Sequence, residues 1–344
     1  MSPVSLTHLS EKPLSQVLTL TKWYQVENAQ LHLSDKAPLR QQGIFISVFG
    51  DELTAMSAVA LLSFAAQYKV VVSSLCLYQP DSQLPVGLVL HSDGHLSDTM
   101  MSEFRHGLRG VAADQGLQGS CITNPADLKQ KGLMVMDMDS TAITIECIDE
   151  IARLAGVYDE VASVTAQAMA GKLAFNDSLH QRVGKLEGVE LSLIQTLKDD
   201  LPLMPGIQAL CNILKSHDWH LVIASGGFTW FAEALQKPLQ LDAYYANELE
   251  ISDNRLTGHV IGDIVNAQRK ADILSDIRAK LALPKHQCVA IGDGANDLVM
   301  MAEAGTGIAV HGKPKVVAQA DAAICQGSLL QVLYLLAIPA KSDD

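Results

Sequence analysis

The stretch Gly132-Leu133-Met134-Val135-Met136-Asp137-Met138-Asp139-Ser140-Thr141 decides how the chain is read. Its apolar run, Leu133 to Met136, reads as a strand buried on both faces, of the kind found in parallel sheets. The run stops at Asp137 and Asp139, with one residue between them. In open α/β sheets the ligand lies just beyond the carboxyl ends of the strands, where these acids emerge. Two carboxylates so close repel each other unless a cation or a shared proton sits with them. A divalent metal beside one reactive carboxylate is the simplest explanation. For Asp-x-Asp taken alone, an acid-decorated strand end is the plainer reading, so the chain that follows has to decide.

After this strand, Ile148, Ile151, Ala152 and Ala155 fall at helical spacing, and Gly156 stops the helix. Residues 157 to about 203 carry helical patterns broken at Gly171, Gly184 and Gly188, which reads as an all-helical insert acting as a lid. Beyond Pro205 strands and helices alternate: a helix over Ile207 to Leu214, a strand Leu221 to Ala224, and a helix around Ile273 to Leu281. A strand Cys288 to Ile291 and a helix Asp297 to Ala304 come next, then apolar runs at Gly307 to Val310 and Ala322 to Cys325. Such alternation predicts an α/β fold with a doubly wound, largely parallel sheet.

Upstream, residues 1–42 have no clear pattern and receive no element. Strands are expected at Ile44 to Phe49, Tyr68 to Tyr78, Val86 to Leu90 and Ser120 to Thr123, with helices at Glu52 to Ala66 and Leu96 to Val111. This βαββαβ order gives a small split-βαβ module over 43–124. It resembles the ACT-type modules that bind amino acids, although a structural or dimerising role is the expected one. Asn124 to Lys131, with Pro125, reads as the linker to a second unit over 132–344.

The chain has 344 residues, 48% of them hydrophobic, and a net charge of −13. That charge argues against nucleic acid or an anionic membrane as partner. A phosphate substrate would have to be held by local cations. The six cysteines are scattered with no zinc-like spacing, and no signal-peptide pattern or membrane-length apolar run is seen. A cytoplasmic protein is expected.

Three further segments carry chemistry. Ser225-Gly226-Gly227 follows a strand, and a hydroxyl with glycine amides can grip phosphate oxygens without adding charge. Lys270 opens a helix. Gly292-Asp293-Gly294-Ala295-Asn296-Asp297 follows another strand and brings two more carboxylates to the same sheet edge. Singly, each is ordinary: a Gly-rich turn, a solvated lysine, an acidic loop.

In this order, however, Asp-x-Asp-x-Thr, Ser, Lys and Gly-Asp-Gly-x-Asn-Asp resemble the four motifs of the haloacid-dehalogenase-like phosphohydrolases. The resemblance spans roughly residues 132 to 335 and implies that family's core with a small helical cap, about 152–204. It implies Asp137 as nucleophile and Asp139 as proton donor and acceptor. Mg²⁺ would be held by Asp137, Asp293 and the backbone carbonyl of Asp139. Asp297 would position Lys270 or a metal-bound water, while Lys270, Ser225 and the Gly226 and Gly227 loop would neutralise the phosphate.

The stretches 137–152 and 168–183 resemble the branch of the family that hydrolyses O-phospho-L-serine. That likeness implies Glu146 on the substrate ammonium and Arg182 on its carboxylate, whose planar shape suits a guanidinium. Met169 and Phe175 would form an apolar wall, and Asn296 would bond the phosphate. The expected role is the last step of L-serine biosynthesis, in a homodimer joined through the N-terminal module. The alternatives are a phosphatase or phosphotransferase acting on another small phosphomonoester, or a non-catalytic amino-acid sensor.

Overall fold

A computed structural model describes residues 4–5, 11–28 and 30–341. The chain forms two seven-stranded sheets, one antiparallel and one largely parallel. The first holds β1 (Val4–Ser5), β2 (Trp23–Glu27), β3 (Gln30–Ser34), β4 (Ile44–Gly50), β5 (Ser74–Tyr78), β6 (Gly87–Ser92) and β7 (Leu117–Ile122), in the order β1-β3-β2-β5-β6-β4-β7. Two helices lie on it, α1 (Ala55–Gln67) and α2 (Asp98–Ala113).

The βαββαβ order expected over 43–124 is present, but two details differ. The segment before Gly43 is not patternless, since its described part supplies β1, β2 and β3 to the sheet edge. The strand expected from Tyr68 begins only at Ser74. Helix α1 runs to Gln67, and Lys69 takes a left-handed φ of 60° to close it, so these residues cross over rather than pair.

Alternation in the strands explains how this sheet is used. Ile44, Ile46, Val48, Leu75, Leu77, Leu88 and Leu90 face α1 and α2. Phe45, Phe49, Cys76, Tyr78 and Val89 face the other way, into the same core as the second sheet. There the Phe49 ring stacks on Tyr334 at 4.2 Å, and the Tyr78 hydroxyl donates to the Tyr334 carbonyl at 2.6 Å. The Trp23 indole N–H reaches the Pro339 carbonyl at 2.9 Å. Both faces of the N-terminal sheet are therefore covered by this same chain, which lends no support to a homodimer through it.

The second sheet begins with β8 (Leu133–Met136). An insert of four helices follows: α3 (Cys147–Ala155), α4 (Tyr158–Met169), α5 (Phe175–Gly184) and α6 (Leu191–Asp199). This insert leaves and rejoins the sheet by adjacent connectors, paired through the Ile143–Leu203 bridge. The chain continues with α7 (Ile207–Ser216), β9 (His220–Phe228), α8 (Thr229–Gln236), β10 (Ala243–Ser252), β11 (Arg255–Ile261), α9 (Ala267–Lys280) and β12 (Cys288–Gly292). It closes with α10 (Leu298–Glu303), β13 (Thr306–Val310), α11 (Pro314–Gln319), β14 (Ala322–Ile324) and α12 (Leu333–Leu336).

The strand order is β11-β10-β9-β8-β12-β13-β14, parallel except for β11. The sheet is doubly wound as expected: Met134, Met136, Val289 and Ile291 face α7 and α12, while Leu133, Val135, Cys288 and Ala290 face α9 and α10. The β10–β11 hairpin is an addition to the expected fold. Its two-residue turn, Asp253-Asn254, has both φ values positive (50° and 60°), as the tight hairpin turn requires. Among the described residues no helix is long and apolar enough to cross a membrane.

Candidate active site

The carboxyl ends of β8, β9 and β12 bring the expected motifs together. Strand β8 pairs with both β9 and β12, so Asp137, Ser225 and Asp293 emerge side by side. Carboxylate oxygens of Asp137, Asp293 and Asp297 lie within 4.8 Å of one another. Lys270, fully buried at the start of α9, reaches in from below. Its Nζ stands 2.9 Å from Asp137 Oδ1 and 2.7 Å from Asp297 Oδ1. Burial alone would lower the lysine pKa, but the two carboxylates outweigh it and hold the ammonium charged.

Asp137 Oδ1 also accepts the Met138 N–H at 2.7 Å. One oxygen of Asp137 is thus fixed by two donors, and Oδ2 has no partner among the described residues. Asp297 Oδ2 accepts the Gly294 N–H at 3.0 Å, which holds the acidic loop against β12.

Asp139 lies elsewhere in the site. Its carboxylate is not part of the Asp137–Asp293–Asp297 group; Oδ1 accepts the Cys147 N–H at 3.4 Å. Burial, then the nearby Glu146, push its pKa up to about 8, so it keeps a proton at neutral pH. Asp293 is pushed up to about 6, by burial and then by Asp137 and Glu146. The glycines of the motifs have a physical reason here. A Cβ on Gly227 would lie 2.7 Å from Asp139 Oδ2, and one on Gly292 would overlap the Asp297 carboxylate. Bare α-carbons let both acids lie against the backbone.

The buried Ser225 hydroxyl accepts the Gly227 N–H at 2.9 Å. Glu146 stands just before α3, and its carboxylate accepts the Ser140 hydroxyl at 2.8 Å. Arg182 on α5 is half-buried, which lowers its pKa, while Asp149, Glu146 and Asp139 act in the opposite sense. The guanidinium forms no ion pair with a described residue; its Nε donates to the Ser178 carbonyl at 3.4 Å.

Phe175 lies over Gly226, where a Cβ would meet its ring at 2.9 Å. Met169 does not join it. At the end of α4 it stands 70% exposed, so the two residues expected as one apolar wall are apart in packing. Asn296 turns its Oδ1 back over Gly294. Sequence reasoning missed three residues around the site. They are Cys147, whose amide bonds Asp139, Lys313, whose charge acts on Asp293 and Glu146, and the buried Asn247.

A carboxylate with one pinned and one open oxygen, a protonated acid near it, and an ammonium among acids are the parts of a phosphoryl-transfer site. On the carboxyl edge of a doubly wound sheet, they define a hydrolase of the haloacid dehalogenase type. The model of the haloacid dehalogenase-like hydrolases matches residues 132–305, and this chain belongs to that family, among its phosphoserine phosphatases.

The chain is 50% identical to a phosphoserine phosphatase of Vibrio cholerae over 215 residues, which cover 62% of this chain but 66% of that protein. The matched segment thus spans just under two thirds of that relative. To the phosphoserine phosphatase of Streptomyces coelicolor it is 38% identical over 312 residues, 91% of this chain and 75% of the relative. A crystal structure of a probable phosphoserine phosphatase from Vibrio cholerae, unliganded, superposes with a TM-score of 0.68 at 39% identity. The superposition covers 87% of this chain and 88% of that one.

Proposed function

We propose that this chain hydrolyses O-phospho-L-serine to L-serine and phosphate, with Asp137 forming a transient aspartyl phosphate. The observation that carries the reading is Asp137 itself. Lys270 and the Met138 amide hold Oδ1, which leaves Oδ2 to attack phosphorus in line. Asp139, protonated at neutral pH, gives its proton to the departing serine oxygen. It then takes one from the water that opens the intermediate. The Ser225 hydroxyl, the Gly226–Gly227 backbone and Lys270 face the equatorial oxygens, where such preorganised donors contribute most. Asn296 is read as a further phosphate contact, and Asp297 as the group that orients Lys270.

The donor set fits Mg²⁺. Asp137, Asp293 and Asp297 offer only hard oxygens, and one buried ammonium does not balance three carboxylates. Asp137, Asp293 and the Asp139 carbonyl would hold the ion, which would supply positive charge to the phosphoryl group.

The substrate's other end is a zwitterion. Glu146 and the Arg182 guanidinium offer the two opposite charges it needs, on α3 and α5 beside the phosphate end. Helices within about 152–204 then act as a cap over residues 132–344. Phe175 already shields Gly226, and Met169 joins the wall when the cap closes. The strand order of residues 43–124 supports an ACT-like module there, with β1, β2 and β3 added to its edge. Its covered faces favour a supporting role over a sensing one.

Phosphate release from phosphoserine, phosphoethanolamine and a sugar phosphate, each with and without EDTA, tests the reading. Preference for phosphoserine that EDTA abolishes is expected. Equal rates on all three would contradict the substrate assignment.

A further inference from the structure

Asn247 is 1% exposed and lies within the sheet, where a polar side chain needs a reason. It sits on β10 where the register with β9 breaks. Tyr245 pairs with Ala224, yet Asn247 pairs with Phe228. Two steps along β10 therefore match four along β9, and the surplus pushes Ser225-Gly226-Gly227 out of the ladder. Bulges of this kind re-aim a strand beside a functional site. They also leave backbone groups without their ladder partners.

The Asn247 side chain takes up one of these groups and one from the loop before α9. Its Nδ2 donates to the Gly226 carbonyl at 2.8 Å, and its Oδ1 accepts the Val265 N–H at 2.8 Å. Val265 precedes Asn266, whose side chain caps α9, and the Lys270 N–H donates to the Asn266 carbonyl at 3.0 Å. A single buried amide thus joins the loop that would face the phosphate to the start of the helix that carries the site lysine.

We infer that Asn247 is a positioning residue for phosphoryl transfer. It holds the Gly226 carbonyl toward the core, so that this oxygen does not face the anion, and it fixes the Ser225 loop in register with Lys270. The inference rests on the phosphatase reading above. Aspartate at this position keeps the size and the acceptor but loses the donor, and so turns a like partial charge on the Gly226 oxygen. Alanine removes both bonds.

The test compares the full chain with Asn247→Asp and Asn247→Ala, measuring kcat and KM for phosphoserine and phosphoethanolamine, vanadate inhibition and melting temperature. In folded variants kcat should fall by about tenfold or more, equally for both substrates, as for a lost oxyanion contact. Vanadate should weaken in step, and the ratio between substrates should hold because Arg182 is untouched. Turnover and vanadate binding within twofold of the parent in either folded variant would overturn the inference. So would a loss that merely follows the unfolded fraction, or one that alters the substrate ratio. If the parent itself hydrolyses neither substrate, the phosphatase reading fails, and vanadate binding by parent and variants still judges Asn247.

Discussion

In the N-terminal sheet the buried polar side chains include Ser47, Ser74, His91, Ser92 and Ser120; in and around the parallel sheet they include Asp137, Ser225, Asn247, Lys270 and Asp297. The first set is hydroxyls and one imidazole, of which Ser47, His91, Ser92 and Ser120 bond to nearby backbone or side chains. Ser47 Oγ, for instance, lies 2.7 Å from the Tyr78 hydroxyl and donates to the Tyr334 carbonyl. Such groups cost little once satisfied. The second set holds charge in the interior, where each ion loses several kcal/mol of hydration before pairing returns part of it. Two sheets of equal strand number thus differ in where they tolerate unfavourable electrostatics. Concentrated, unbalanced charge marks the site. The buried Arg40–Asp127 pair, 3.5 Å apart at the junction of the sheets, is the informative exception. Arg40 also donates to the Ala126 and Ile338 carbonyls, so its charge fastens chain segments together.

The sharpest way to break this contrast is Asp137→Asn. Turnover should drop by about a thousandfold or more, with the melting temperature close to the parent's, since the amide still fills the space beside Lys270. Steady-state assays finding activity within tenfold would show that the charge cluster is not the reactive centre. A smaller effect separates parts within the site. Arg182→Ala should cut kcat/KM for phosphoserine by about 10- to 100-fold, the worth of a charged hydrogen bond, and spare phosphoethanolamine, which lacks the carboxylate. Equal losses on both would move Arg182 from substrate reading to cap packing. The smallest effect belongs to the other sheet. Tyr78→Phe removes the bond to Tyr334 and should cost about 1 kcal/mol in urea unfolding without altering kcat. A changed kcat would mean that the N-terminal sheet does more than support.

How much could be read beforehand follows from how local each signal is. Asp137, Asp139, Ser225, Lys270 and Asp293 sit at strand or helix ends inside short motifs, and the structure sets Asp137, Asp293, Asp297 and Lys270 together. Buried strands such as Leu133–Met136 and Cys288–Gly292 announce themselves by unbroken apolar runs. The β10–β11 hairpin was legible but passed over. Asp253-Asn254 lies between alternating residues, and that turn chemistry is its signal. Strands β2 and β3 are short and only partly buried, so their pattern is faint. Asn247 was beyond reach, because its meaning depends on a register shift between two strands. The exposed Met169 shows the converse limit: a motif gives a residue's identity but not the position of the element that carries it.

The ring stack of Phe49 on Tyr334 has a consequence for how such a chain can change over time. The C-terminal segment from Leu329 to Ile338 is greasy toward the antiparallel layer as well as toward its own sheet. A shortened descendant that discarded the first 124 residues would inherit an oily scar there. It would have to repaint that patch with polar side chains before it could stay dispersed in water.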